Sequence, residues 1–256
     1  MSFETAEEVA NAVLYEGYLL YPYRASALKN RVRWQFGVVA PRAYAELSQA
    51  DPWYAQTECL IEPAADPAID IRVRFLQIEG DAGLERTVDI RNLEISRLRD
   101  AEHVESIVLR RGEERPIQGF VRARAEEAGP VIKLRLRIEN ATDVASGDSC
   151  RDQALRSAFV GTHALVVVRG GCFVSLVDAR REISAAAASC VNLHTWPVLI
   201  GDPGEPDRCD TLLSSPIILY DFPSIASESC GALFDATGID EDPRAARPDH
   251  DPRREA

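Results

Sequence analysis

The sequence is poor in lysine and has no long apolar run. Only Lys29 and Lys133 accompany 27 arginines, and these 29 basic residues face 41 acidic ones, giving a formal net charge of −12. Such a chain repels a phosphate backbone, so we expect no nucleic-acid binding. No uncharged apolar run approaches the roughly 20 residues that span a bilayer, so we expect no membrane span. The N-terminus is acidic where a secretory signal would be basic, and we therefore expect a cytoplasmic protein.

The cysteines lack the spacing of a common metal-binding or redox motif. Six of them are spread over 256 residues, with no Cys-x-x-Cys pair, and the 46% hydrophobic content supports a core without disulfide bonds. We therefore expect reduced thiols. The best metal-ligand spacing is Cys190 with His194, since residues i and i+4 share a helix face. Cys172 or Cys209 would complete such a site, but buried packing explains these residues more simply, and we predict no cofactor.

Motifs of known catalytic and phosphate-binding sites are absent from the sequence. There is no Gly-x-Ser-x-Gly elbow, no P-loop and no Gly-x-Gly-x-x-Gly fingerprint. Cys172 directly follows Gly170-Gly171 and is a candidate nucleophile, yet its alternation with Val174 predicts a half-buried strand residue. We favour a protein that is not an enzyme. The alternative is an enzyme or metal-binding protein that uses the Cys/His set named above.

The hydrophobic pattern predicts a helix followed by a mainly β chain. Thr5 and Glu8 have capping-box spacing, and apolar residues at helical period predict a helix over about 6–18. Residues 34–39 are predicted as a short strand. Over 57–140, apolar residues alternate with charged ones, which favours antiparallel strands in a sandwich-like sheet. The predicted class is α+β, mainly β, with an N-terminal helix, this sheet and a smaller α+β portion.

Three portions are expected along the chain. Residues 1–145 comprise the helix and the antiparallel β domain, and residues 146–240 comprise the α+β portion. Residues 241–256 are almost without apolar side chains and are predicted to be a disordered tail. Within the second portion, Gly170 and Gly171 predict a β-hairpin, because Gly-Gly suits a turn that needs positive φ at both positions.

A segment rich in tyrosine and arginine is the best candidate for a binding surface. Four of the seven tyrosines fall within residues 15–23, and arginines and a tryptophan follow directly. Aromatic and arginine enrichment with little lysine is typical of interface hot spots, so we predict a protein-docking face. The predicted contact residues are Tyr21, Tyr23, Arg24, Arg31, Arg33 and Trp34.

A second set of arginines occupies the outward positions of predicted strands. The members are Arg72, Arg74, Arg135 and Arg137. We interpret them as a solvated strand face with acidic neighbours on adjacent strands, which is the usual state of such a face. Docking of an acidic partner is the alternative.

Four long segments of the chain are distinctive in sequence. They are EGYLLYPYRASALKNRVRWQFGVVAPRAY, VRGGCFVSLVD, NLHTWPVLIG and LLSSPIILYDFPSIASESCGALFDATGIDE. These segments resemble an uncharacterised bacterial protein family associated with uptake nickel–iron hydrogenase gene clusters. The resemblance implies an accessory protein that docks on hydrogenase subunits or maturation factors, and it implies no catalytic residues. Members of that family continue beyond the GIDE element, so we expect a shortened version here.

Self-association is the third function that we consider. In that case the chain would be a scaffold subunit whose copies join through the edges of the predicted sheet. Light scattering would distinguish this function from that of a monomeric docking protein.

Overall fold

The computed structural model describes residues 3–11, 36–79, 82–111, 114–144 and 150–223. Over these ranges the chain forms an eight-stranded antiparallel sheet with short helices packed against it. This arrangement confirms the predicted α+β, mainly β class, with its N-terminal helix and antiparallel sheet.

One very long strand, β1, pairs with three other strands of the sheet. The strands are β1 (Tyr54–Glu79), β2 (Ala82–Glu94), β3 (His103–Arg111), β4 (Glu114–Ala128), β5 (Val131–Asn140), β6 (Val160–Val174), β7 (Trp196–Ile200) and β8 (Thr211–Ser215). Their order is β3-β4-β5-β1-β6-β8-β7, and β2 pairs with β1 beside this path. The first part of β1 pairs with β5 and its second part pairs with β2. Strands from both sides of the predicted boundary at residue 145 therefore belong to one sheet.

The described helices are all short. They are α1 (Glu4–Asn11), α2 (Arg42–Ser48), α3 (Ile95–Asp100), α4 (Arg151–Leu155) and α5 (Ser184–Ala188), with 3-10 turns at Arg181–Ile183 and Pro206–Arg208. None of them is long and apolar enough to cross a membrane. Helix α1 confirms the start of the predicted N-terminal helix, and residues 12–18 lie outside the described ranges. The predicted strand 34–39 is reduced, in its described part, to one bridge between Val39 and Phe159.

The main core lies on the inner face of the curved sheet. Strand β5 shows why: Leu134, Leu136 and Ile138 are buried, while Arg135 between them is part-exposed, as alternation predicts. Strands from every part of the sheet contribute to this apolar cluster, including β3 at one end and β8 near the other. Each fully buried aliphatic side chain contributes about 1.5–3 kcal/mol, so this cluster is the main source of stability.

The predicted hairpin at Gly170 and Gly171 is wrong, because both glycines lie inside the continuous strand β6. Residues 64–67 of β1 bulge out between two paired stretches, and Gly170 lies opposite that bulge. A Cβ atom on Gly170 would come within 2.3 Å of the Ala65 carbonyl oxygen, and its φ is +70°. Glycine is therefore needed here for a close approach of two strands, where the local sequence predicts a turn.

Helix α1 covers part of the outer face of the sheet. Its Ala6, Val9 and Ala10 pack against Leu165 of β6 and Leu213 of β8. The helix places polar side chains over the outward arginines of β1, so part of the expected solvated face is covered. Because α1 is amphipathic, it buries its apolar side against the sheet and so covers this face.

The outward arginines all have acidic neighbours. Those of Arg72 and Arg74 lie on the adjacent strand β2, as predicted, whereas Glu102 precedes β3 and Glu139 is on the same strand as Arg137. Arg135 contacts Glu102 at 3.3 Å, and Arg137 contacts Glu139 at 2.9 Å. On β1, Arg72 donates to both carboxylate oxygens of Asp89 at 2.7 and 2.9 Å, and these hydrogen bonds lower the pKa of Asp89.

Arg74 departs from the predicted solvated face, because it is only 6% exposed. Its guanidinium donates to Glu85 and, from Nη2, to Asn11 of α1, both at 2.7 Å. A buried arginine is tolerated where its charge is paired, as Glu85 pairs it here.

Candidate docking site around Trp53

The predicted docking segment lies outside the described part of the chain. All six predicted contact residues fall within residues 12–35, between the described ranges 3–11 and 36–79. Tyr21, Tyr23, Arg24, Arg31, Arg33 and Trp34 therefore stay predictions. The described residues that follow contain a second aromatic and arginine cluster.

The predicted pairing of Cys190 with His194 on one helix face is wrong. Helix α5 ends at Ala188, and His194 has a left-handed backbone with φ of +63°. The Cys190 sulfur lies 3.5 Å from the Ala186 carbonyl oxygen and packs beside Leu60. The prediction from the spacing was wrong because the alanine-rich helix α5 ends before Cys190.

Cys172 and Cys209 do not complete a metal site with these residues. Cys209 is buried in the main core, where its sulfur contacts the carbonyl oxygens of Ile200 and Thr211 at 3.4 and 3.1 Å. Cys172 is half-buried on β6, opposite Glu62 of β1. Across the ranges that the structure describes, no three His, Cys, Asp or Glu side chains are grouped to hold a metal ion.

Burial also makes these thiols poor nucleophiles. Burial, together with the Glu58 carboxylate, raises the pKa of Cys190 to about 11. Burial likewise raises the pKa of Cys209 to about 11 and shifts the pKa of Cys172 upward. Since the thiolate is the nucleophile, a raised pKa keeps these three thiols in the protonated, less reactive form.

Two adjacent aromatic residues at the start of β1 form the centre of the candidate site. The rings of Trp53 and Tyr54 meet edge to face, with centroids 4.9 Å apart. The Arg137 guanidinium lies 3.8 Å from the Tyr54 centroid and 5.2 Å from that of Trp53. Arg42 of α2 lies 4.6 Å from the Trp53 centroid. We call these four residues the Trp53 cluster; its cation–π contacts each contribute about 0.5–2 kcal/mol.

A cleft of about 450 Å³ opens beside the Trp53 cluster. Its described lining consists of Ala45, Glu46, Gln49, Ala50, Asp51, Pro52, Trp53, Tyr54 and His194. The His194 ring stands edge-on to Tyr54 with its centroid 6.1 Å away, and burial lowers the pKa of His194, which favours the neutral imidazole. This volume lies within the range of small-ligand pockets and is also large enough for side chains of a docked protein.

The backbone around the cleft is held by hydrogen bonds from distant parts of the chain. Buried Asn140 donates its backbone N–H to the Trp53 carbonyl oxygen at 2.9 Å, and its side chain donates to Val39 and Ser157 carbonyls. On the far side, Gln56 and Leu193 exchange two backbone hydrogen bonds of 2.9 Å, which position His194. The cleft is therefore preorganised by rigid elements.

Charges around the cleft are balanced. Arg42 pairs with Glu46 at 2.7 Å, Arg137 pairs with Glu139 at 2.9 Å, and Arg151 pairs with Asp51 at 2.8 Å. An aromatic centre with a neutralised polar rim is the arrangement found in protein interfaces. Leu47, on the same helix as Arg42, is 80% exposed and adds apolar surface near the cleft.

Sequence reasoning missed this site, although one local signal was present. The signal is the adjacent pair Trp53-Tyr54 after Pro52, in a chain with only three tryptophans and seven tyrosines. The contribution of Arg137 had no local signal, because it depends on β5 pairing Arg137 opposite Gln56. Only the register of the sheet brings that guanidinium onto Tyr54.

Comparison with known proteins assigns no family. A scan against protein-family models finds no match, and neither does a search of curated proteins. The association with hydrogenase gene clusters therefore stays a prediction that rests on the four resembling segments.

Proposed function

We propose that this chain is a non-catalytic accessory protein that docks on a protein partner through the Trp53 cluster. The observation that carries the proposal is the contact of Trp53 with both Arg42 and Arg137 at the edge of the cleft. Tryptophan, tyrosine and arginine dominate interface hot spots. The two aromatic side chains bury large areas with only two side-chain torsions to order, and the planar guanidinium of arginine stacks on aromatic rings.

The partner that we propose is a nickel–iron hydrogenase or its maturation machinery, in the cytoplasm. The support for this partner is the resemblance of the four segments, among them NLHTWPVLIG, which contains His194 of the cleft. Tyr21 and Arg31 stay predicted contact residues, outside the described ranges.

The geometry constrains how the partner binds. The charge pairs at the rim are neutral overall, so the partner needs no strong charge of one sign. An apolar or aromatic side chain of the partner would enter the cleft beside Trp53, and polar groups would meet the rim. A stable interface buries roughly 800 Å² on each side, so surface beyond the cleft, including Leu47, would also contribute.

A pull-down with matched variants tests the proposal. The tagged wild-type chain, Trp53→Ala and Tyr220→Ala are each expressed in the native host, and bound proteins are quantified by mass spectrometry. Tyr220 is 67% exposed and does not line the cleft, so it serves as the aromatic control. Loss of a hot-spot side chain costs about 2 kcal/mol or more, which corresponds to about 30-fold weaker binding.

The expected result is recovery of hydrogenase subunits or maturation factors by the wild-type chain and Tyr220→Ala, with strong loss for Trp53→Ala. Circular dichroism of each variant verifies folding. Equal recovery by all three chains would rule out docking through Trp53. Recovery of no hydrogenase component by the wild-type chain would contradict the proposed partner.

A further inference from the structure

Strand β3 forms one end of the sheet, and among the described residues only one of its edges is paired. All its register partners, from His103 to Arg111, lie on β4. The second edge of such a strand presents backbone N–H and C=O groups that can pair with another strand. Natural edge strands are usually protected by lysine, proline or a bulge. Strand β3 contains neither lysine nor proline, and its one register shift, between Leu109 and Arg111, lies beyond residues 104–108.

The side chains of β3 increase its tendency to associate. Val104 is 41% exposed and Val108 is 57% exposed. The two valines lie on the same face of the strand, two positions to either side of exposed Ser106. A strand edge with exposed β-branched residues favours pairing with a second strand.

The charges along this segment identify the strand that fits. The segment begins with the acidic residues Glu102 and Glu105 and ends with the basic residue Arg110. An antiparallel copy of the same segment presents its basic end to this acidic end, and its acidic end to this basic end. Glu102 also pairs with Arg122 and Arg135 of its own chain, at 3.2 and 3.3 Å, so Arg110 of the second copy would join an existing group of ion pairs.

We propose that β3 pairs antiparallel with β3 of a second copy of this chain, about a two-fold axis at Ser106. Val104 then lies opposite Val108 of the second copy, and Glu102 lies opposite Arg110 of that copy. The two-fold axis repeats each of these pairs, as an isologous interface requires. The proposal does not depend on docking at the Trp53 cluster.

Other registers fit less well. Moving the axis by one residue, to Ile107, places Val104 opposite Arg110 and removes both Val–Val pairs. Since cross-strand pairs are the unit of sheet stabilisation, this loss selects the axis at Ser106. An edge-to-edge contact alone is smaller than a standard interface, so we expect a reversible dimer at chain concentrations on the order of micromolar.

Sedimentation equilibrium over a dilution series across the micromolar range tests the dimer. Val108→Lys places a charge opposite Val104 at two symmetric positions and should weaken dimerisation about tenfold or more. Val177→Lys is the matched control, because Val177 is 91% exposed and lies outside every strand. A monomer at all concentrations, or an equal effect of both substitutions, would overturn the proposal.

Disulfide trapping tests the axis. In Ser106→Cys the two introduced thiols face each other, so mild oxidation should give a covalent dimer that the wild-type chain does not form. In Val108→Cys the two introduced thiols are four positions apart along the paired strands, roughly 14 Å, which is too far for a disulfide. A dimer in which Val108→Cys self-links and Ser106→Cys does not would exclude this register.

Discussion

His163 provides a quantitative prediction about acid stability. It lies on β6 directly opposite Arg74 of β1, is 1% exposed, and its Nδ1 is 2.8 Å from the Gly161 carbonyl oxygen. Burial and the positive charge of Arg74 lower the pKa of His163 from 6.5 to about 4. Because the folded state disfavours the imidazolium, His163 stays neutral in the folded protein where the unfolded chain would bind a proton.

The sign and size of the effect follow from proton linkage. Below pH 6.5 the unfolded chain takes up a proton at this site, whereas the folded chain does so only near pH 4. Folding stability is therefore lost as the pH falls through this window. The loss from His163 alone is about 2 kcal/mol at pH 5 and about 3 kcal/mol once the pH is below both values.

Urea unfolding at pH 7 and pH 5 measures this loss. His163→Gln removes the titrating group. From pH 7 to pH 5, the free energy of unfolding of this variant should therefore fall by about 2 kcal/mol less than that of the wild-type chain. Thr162→Val is the matched control, because Thr162 is buried beside His163 and does not titrate. Its stability relative to the wild-type chain should therefore be the same at both pH values. Carboxylates such as Asp89, whose pKa is lowered, destabilise all variants alike at more acidic pH. An equal loss for His163→Gln and wild type would refute the argument.

Two further predictions concern packing and thiol reactivity. Gly119→Ala should cost about 3 kcal/mol in urea unfolding, because a Cβ atom would come within 2.4 Å of the Glu139 carbonyl oxygen and 2.6 Å of the Phe159 ring. Gly129→Ala is the control. Gly129 has a φ of +73°, but an added Cβ atom would lie in open space, so this substitution should cost only about 1 kcal/mol. Equal costs for the two substitutions would contradict this account of Gly119. In native alkylation followed by mass spectrometry, exposed Cys150 should react first among the five cysteines of the described ranges. Buried Cys209 has a pKa of about 11, so it should react about 100-fold more slowly than an exposed thiol with the ordinary pKa of 9.0. Fast labelling of Cys209 would show that its environment is misassigned.

Local patterns predicted strand β5 well, because it is buried on one face only. Alternating residues along β5 have opposite environments, and this burial reproduces the period of two in the sequence. The pair Gly170-Gly171 misled for a physical reason: a turn and a close approach to a bulge both require residues without a Cβ atom. Helix α3 has only six residues and no side-chain cap, so it left little periodic signal.

The candidate site was less predictable than the fold. The Trp53 cluster joins Arg42 from a helix with Arg137 from β5, and neither contact follows from local sequence. The buried hub at Asn140 likewise depends on three distant backbone groups. Such sites are determined by strand register, which the sequence specifies only through the complete core.

Hydrogen exchange on the partner complex tests the central claim most directly. The recovered complex and the free chain are compared by mass spectrometry, with attention to residues 42–54 and 191–195, which surround the cleft. Docking through the Trp53 cluster predicts slower exchange in both segments on partner binding, with loop amides outside the interface unchanged. Unchanged exchange in both segments, together with protection elsewhere on the chain, would contradict the proposed docking site.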